Sequence, residues 1–209
     1  MPAKDAVPLM IAENRDQKDH AAWLHVAIKK MMHEAGYTMK DLQAIAVAVG
    51  PGSYTGLRVG MAAAKGFSYA LNIPLITENT LHLMAFSVKD QAIGFADALI
   101  CPMIDARRME VFTALYSTEL KELIAPVAMI LNKNSFEVYL SKAPIYFTGS
   151  GVQKWKELTS SQNAGFINTP PLAQHLANLS HNKYLIKEFT DLIYSEPAYL
   201  KDFFTHGKK

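Results

Sequence analysis

A continuous apolar run, Ala44-Ile45-Ala46-Val47-Ala48-Val49, passes directly into Gly50-Pro51-Gly52-Ser53-Tyr54-Thr55-Gly56, and a helix-patterned stretch from Leu57 to Leu71 follows. Six apolar residues in a row without alternation mark a buried strand. Asn72 and Pro74 end the helix, and Leu75-Ile76-Thr77 reads as the next short strand. Apolar runs alternating with helical patterns predict α/β layering. The turn itself admits two readings. Its glycines permit backbone angles that side chains forbid, Pro51 fixes one dihedral, and the Ser53 and Thr55 hydroxyls suit a helix cap, all of which make a tight structural turn. A helix start also aims N–H groups and a positive dipole end outward, which suits an anion. Neither phosphate fingerprint is present: no Gly-Lys-Ser/Thr follows, and Gly50, Gly52 and Gly56 give G-x-G-x-x-x-G.

The rest of the chain keeps the same rhythm. Residues His20 to Ala35 predict an amphipathic helix with Leu24, Ala27, Ile28 and Met31 on one face, stopped by Gly36. Thr80 to Val88 is helical in pattern. Ala98 to Ile104 and Met109 to Tyr116 read as strands joined at Asp105-Ala106-Arg107-Arg108. Ile145 to Thr148 reads as a strand ending in Gly149-Ser150-Gly151, with a helix through Trp155 to Leu158. Leu172 to Leu179, extended toward Phe189, is the last helix. The best boundary lies at Ala92 to Asp97, dividing the chain into lobes 1–97 and 98–209, with a tail from about residue 195 packing back on the first lobe. The helix after the glycine-rich turn carries Gly60, Ala62, Ala63, Ala64 and Gly66. A mid-helix glycine costs about 1 kcal/mol against alanine, so such a stripe is offset only where another backbone comes close. That neighbour is either the chain's own sheet or a partner helix.

Composition narrows the function. Of the 209 residues half are hydrophobic and 19% charged, which excludes a disordered chain. Lys+Arg is 21 against 19 Asp+Glu, a net charge of +2, so no broad phosphate-attracting field is expected. The one cysteine, Cys101, excludes an internal disulfide and a cysteine zinc site, and its apolar strand makes it a small buried hydrophobe. With no apolar run of membrane length and no signal-peptide pattern at Met1-Pro2-Ala3-Lys4-Asp5, a cytoplasmic protein without membrane attachment is expected. The seven histidines have no ligand spacing, and His33-Glu34 lacks the second histidine of H-E-x-x-H, so no metal site and no catalytic residue is assigned.

Residues Ala46 to Gly60, continuing to Ala64-Lys65-Gly66, resemble the signature of the TsaB (YeaZ) family, which serves tRNA threonylcarbamoyladenosine synthesis. The signature loop is Gly50, Pro51, Gly52, Ser53, Tyr54, Thr55, Gly56 and Arg58. Supporting matches are His20-Ala21-Ala22-Trp23-Leu24, Ile104-Asp105-Ala106-Arg107-Arg108-Met109-Glu110-Val111-Phe112, Gly149-Ser150-Gly151 and Pro197-Ala198-Tyr199-Leu200-Lys201. The resemblance implies an actin-like ATPase, ribonuclease-H-like fold in two lobes of mixed sheets flanked by helices. It implies a non-catalytic subunit that binds and activates a TsaD transferase, which modifies the adenosine beside the anticodon of ANN-decoding tRNAs. A TsaE-like ATPase joins the same assembly, ATP and metal belong to the partner subunits with no cofactor on this chain, and tRNA is met only through the complex. The implied partner interface is Leu24, Ile28 and Met31 on the first helix with Gly60, Ala63, Ala64 and Gly66 on the second. The rival readings are a metallopeptidase-like or ATP-hydrolysing enzyme of the same superfamily, and a self-associating homodimer. For Asp105, Arg107, Arg108 and Glu110 the plain reading is a solvated turn with salt bridges, and the alternative is a contact of Arg107 or Arg108 with tRNA phosphate. The family opens with a strand of the form Ile-Leu-x-Ile-Asp-Thr-Ser-Thr that is absent here, leaving Leu9 to Ala12 as the only early strand candidate.

Overall fold

A computed structural model describes residues 1–14, 20–91, 97–168 and 173–201. The described residues form two compact units, one from Met1–Leu83 with Pro171–Pro197 and one from Met84–Pro170 with the residues from Ala198 on. This division differs from the expected 97/98 boundary, whose proposed linker lies largely outside the described residues. The first unit takes back a C-terminal segment because hydrogen bonds between groups far apart in sequence tie it there. Lys65 Nζ donates to the Ile193 and Ser195 carbonyls at 3.0 Å each, and the Thr190 N–H donates to the Leu75 carbonyl at 2.8 Å.

In the first unit, β1 (Ala3–Lys4) and β2 (Val7–Pro8) make a small antiparallel hairpin. Leu9 to Ala12, expected as a strand, is irregular. Helix α1 (His20–Glu34) precedes β3 (Ile45–Gly50), α2 (Tyr54–Leu71), β4 (Leu75–Asn79) and α3 (Thr80–Lys89), whose first four residues belong to this unit. Strands β3 and β4 pair in parallel, with Ile45 opposite Leu75 and Val47 opposite Thr77. The period-2 set Ile45, Val47 and Val49 packs on a cluster of Met61, Ala64 and Leu75, so α2 covers that face. The apolar run predicts full burial of β3, yet Ile45 to Val49 are all only half-buried. Among the described residues β4 is its single strand partner, and a two-stranded sheet covers an apolar strand poorly.

The second unit is built on a mixed five-stranded sheet in the order β7-β6-β5-β8-β9, from β5 (Leu99–Asp105), β6 (Glu110–Ser117), β7 (Glu122–Ile130), β8 (Ile145–Thr148) and β9 (Ala164–Ile167). Short helices α4 (Glu137–Leu140) and α5 (Val152–Lys156) flank it, and α6 (Ala173–Leu185) returns to the first unit. Fully buried Trp155 is the centre of the core, with Phe136 edge-on at 5.3 Å and Phe147 at 5.7 Å between ring centroids. Gly149 has φ +104, and a Cβ there would collide with the Met84 side chain and the Met103 carbonyl, so the β8–α5 turn requires glycine. Among the described residues no helix is long and apolar enough to cross a membrane.

Candidate functional site

The signature loop is built as a helix cap. The Ser53 hydroxyl accepts from the Gly56 N–H at 3.3 Å and its carbonyl accepts from the Leu57 N–H at 2.8 Å, so α2 starts three residues earlier than its apolar pattern predicts. Of the three glycines only Gly50 lies in the left-handed region, at φ +114. Pro51 is buried, whereas Gly52, Ser53, Tyr54, Thr55 and Arg58 are exposed, and the Arg58 guanidinium lies 4.0 Å above the Tyr54 ring. With its own hydroxyl in the first turn, the loop has the geometry of a structural turn. The anion reading retains only the helix end itself.

Helix α2 divides the small-residue stripe between two neighbours. At 100° per residue Gly60 and Ala64 share a face, and Gly66 lies about 240° round from Gly60. Ala64 is buried against β3 and β4, and a Cβ on Gly60 would meet Val47 Cγ2 at 3.6 Å. These two residues therefore admit the chain's own sheet. Gly66 has nothing within 4 Å of where its Cβ would stand, and Ala62, Tyr69 and Ala70 are exposed beside it, Tyr69 by 82%. Ala63 is half-buried. Helix α1 behaves likewise. Met31, with Ala27 and Met32, is buried within the unit, Leu24 and Ile28 are half-buried, and Val26 is 69% exposed with His25, Lys29 and His33 around it. His25 meets Phe67 of α2 edge-on at 5.5 Å. Beside this contact a cleft of about 440 Å³ is lined by His25, Ile28, Met32, Tyr37, Met39 and Phe67 among others. The expected interface is thus split by the geometry: Met31, Gly60 and Ala64 serve internal packing, Gly66 stands open, and Ala62 of the small-residue stripe is open as well, together with Tyr69 and Val26.

Two further groups define the chemistry. Cys101 is fully buried with Thr113 Oγ1 at 3.3 Å, and burial pushes its thiol up to about 12, so it is no thiolate nucleophile near neutrality. Glu78 on β4, also buried, was not singled out in the sequence. Its carboxylate meets Lys183 Nζ of α6 at 2.8 Å and His82 Nδ1 at 3.3 Å, and Lys183 also donates to the Thr77 carbonyl at 3.1 Å. Burial alone would raise the Glu78 carboxyl, but the hydrogen bonds and charges of His82 and Lys183 outweigh it and hold it below the usual glutamate range. The group anchors α6 to β4. Among the described residues no three His, Cys, Asp or Glu side chains are grouped to hold a metal ion.

The TsaD family model, described as tRNA N6-adenosine threonylcarbamoyltransferase, matches residues 12–203. The tRNA threonylcarbamoyladenosine biosynthesis protein TsaB of Bacillus subtilis is 32% identical over 82% of this chain and 74% of its own length. The protein of the same name from Haemophilus influenzae is 25% identical over 92% of this chain and 84% of its own. Among solved structures, a Pseudomonas aeruginosa protein described as similar to peptidase YeaZ superposes with a TM-score of 0.76, at 22% identity over 88% of this chain and 85% of that one, which speaks for the fold.

Proposed function

The chain belongs to the TsaB (YeaZ) family and has its actin-like α/β fold, and from that premise we propose that it serves tRNA threonylcarbamoyladenosine biosynthesis as a non-catalytic subunit that binds and activates a TsaD-like transferase. In this reading the open face of α2 with the outer face of α1 docks the transferase. ATP and metal are held by the partner subunits, and a TsaE-like ATPase joins the assembly in the cytoplasm. The observation that carries the reading is Gly66: a mid-helix glycine with open space at its Cβ position, flanked by exposed Ala62 and Tyr69. No internal packing needs a glycine there, whereas a second helix approaching this face does. A tyrosine that is 82% exposed supplies apolar area for such a contact.

The test separates docking from folding. Gly66→Ala is expected to raise stability by about 0.5–1 kcal/mol, since helix propensity improves and nothing is displaced. Gly66→Arg is expected to keep the circular dichroism spectrum and lower affinity for the cognate TsaD-like subunit at least 10-fold by calorimetric titration, about 1.4 kcal/mol. It should lower threonylcarbamoyl transfer in the reconstituted assembly in parallel. Full binding by a folded Gly66→Arg chain would remove α2 from the interface. Loss of a homodimer alone, read by sedimentation, would favour self-association, and threonylcarbamoyl transfer by the isolated chain would overturn the non-catalytic part.

A further inference from the structure

The connection between β5 and β6 holds an arrangement that neither the fold nor the proposed docking face requires. Arg107 and Arg108 are consecutive, exposed, and both in the left-handed region, at φ +67 and +48. Non-glycine residues avoid that region, and a connection of this kind ordinarily carries Gly, Asn or Asp there. The strained backbone is held deliberately. Asp105 Oδ1 accepts from the Arg107 N–H at 2.6 Å, and the Glu110 N–H donates to the Arg107 carbonyl at 3.1 Å. Lys154 Nζ then takes Asp105 Oδ1 at 2.8 Å and the Glu110 carbonyl at 3.0 Å, and Lys201 pairs with the Glu110 carboxylate. Both carboxylates of the turn are therefore engaged by lysines. Neither guanidinium has a hydrogen bond or ion pair among the described residues. Four cations against two carboxylates leave this tip with an excess of two positive charges, equal to the formal net charge of the whole chain. A protein with no broad positive field thus carries a local cationic excess at the turn joining two interior strands of its larger sheet.

We propose that the Arg107–Arg108 tip is a binding site for the phosphate backbone of RNA. This rests on the reading above that the chain works in a tRNA-modifying assembly, and it goes beyond that reading by giving the chain its own contact with the nucleic acid. Planar guanidinium groups match phosphate oxygens in paired hydrogen bonds, and such contacts fix register without reading sequence. Strained residues kept where asparagine or glycine would fit better point to a role outside folding.

Fluorescein-labelled, unmodified tRNA transcript is titrated with the full chain, alone and with the TsaD-like subunit, over a series of salt concentrations. The variant R107N/R108G places residues that tolerate positive φ at the tip, so its melting temperature is expected to equal or exceed that of the wild type. Its RNA affinity is expected to fall at least 10-fold at low salt, and the slope of log affinity against log salt to flatten by about one to two units. The variant K133A/K142A removes the same charge from exposed lysines of the same unit and should lose much less. R107K/R108K should retain most of the salt dependence. The proposal is overturned if R107N/R108G binds RNA as the wild type does, if it loses no more than K133A/K142A, or if the wild-type chain binds no RNA in either setting. Loss of TsaD binding with unchanged RNA affinity would make the tip a protein contact and overturns it as well. The titration of the chain alone does not require TsaD association, so its outcome is independent of the subunit reading.

Discussion

Gly50 shows how much a single backbone angle can decide. Its φ of +114 lies where a Cβ is strained whatever space surrounds it, whereas Gly52 and Gly56 have ordinary angles. A Cβ on Gly52 would rest 3.9 Å from the Leu57 side chain, an unstrained contact. Gly50→Ala is therefore expected to cost about 1–3 kcal/mol in urea denaturation, and Gly52→Ala about 0.5 kcal/mol or less. Equal losses at both positions would place the turn's requirement elsewhere. The three glycines look alike in the sequence because their spacing carries no sign of φ; the strand's last residue takes the strained angle because the chain must leave the sheet there before Ser53 can cap α2. The same holds for the stripe from Gly60 to Gly66. Composition announces close approach but not the direction of each small side chain, and only the position of β3 divides the sheet-facing Gly60 and Ala64 from the open Gly66.

At the scale of elements, regular hydrophobic periods were legible and interruptions were not. Helix α1 and strands β5, β6 and β8 stand within a residue or so of their apolar patterns. Strand β7 was missed because Pro126 sits in Glu122–Ile130, and it survives because it is an edge strand of the sheet, where a missing N–H costs little. Strand β9 is only four residues long and contains Gly165. Helix α6 raises a different question, since its placement depends on Glu78, a residue that looks unremarkable in the middle of β4. Removing its charge leaves Lys183, 28% exposed, with the Thr77 carbonyl and the more exposed Glu188 as partners. Glu78→Gln is expected to cost about 2–3 kcal/mol, below the full penalty of breaking a buried pair because those contacts remain. The folded-state carboxyl is held below its unfolded value, so its stabilisation is present above the usual glutamate range and is lost as pH falls through the lowered folded value. Wild-type stability should therefore decline on acidification below that range, and Glu78→Gln should lose part of the decline. An acid profile identical in both proteins, measured by urea denaturation at stepped pH, would show that the pair contributes nothing to holding α6.

On the scale of the whole molecule, the sequence suggests a tail from about residue 195 returning to the first lobe, whereas the segment that joins the first unit is Pro171–Pro197 and the residues from Ala198 on belong to the second. Composition along the chain cannot register a hydrogen bond from Lys65 to Ser195 across 130 positions, or Lys183 reaching Thr77 across 106. Each unit carries its own apolar cluster, Met61, Ala64 and Leu75 in one and the Trp155 group in the other. The two tryptophans fall one to each unit, Trp23 half-buried on α1 and Trp155 fully buried on α5, and each can report its own unit's unfolding by fluorescence. Phe147→Ala removes a ring that packs on both Trp155 and Phe166. Truncating a buried phenylalanine costs about 3–5 kcal/mol, from lost transfer free energy and the cavity left behind. In a Trp23→Phe background, Phe147→Ala should move the Trp155 transition to lower denaturant by an amount of that size. In a Trp155→Phe background, the same truncation should move the Trp23 transition much less, because the cluster of Met61, Ala64 and Leu75 is untouched. Equal shifts at both probes would mean that the two clusters unfold as one cooperative block and that the units, though separately packed, have no separate stability.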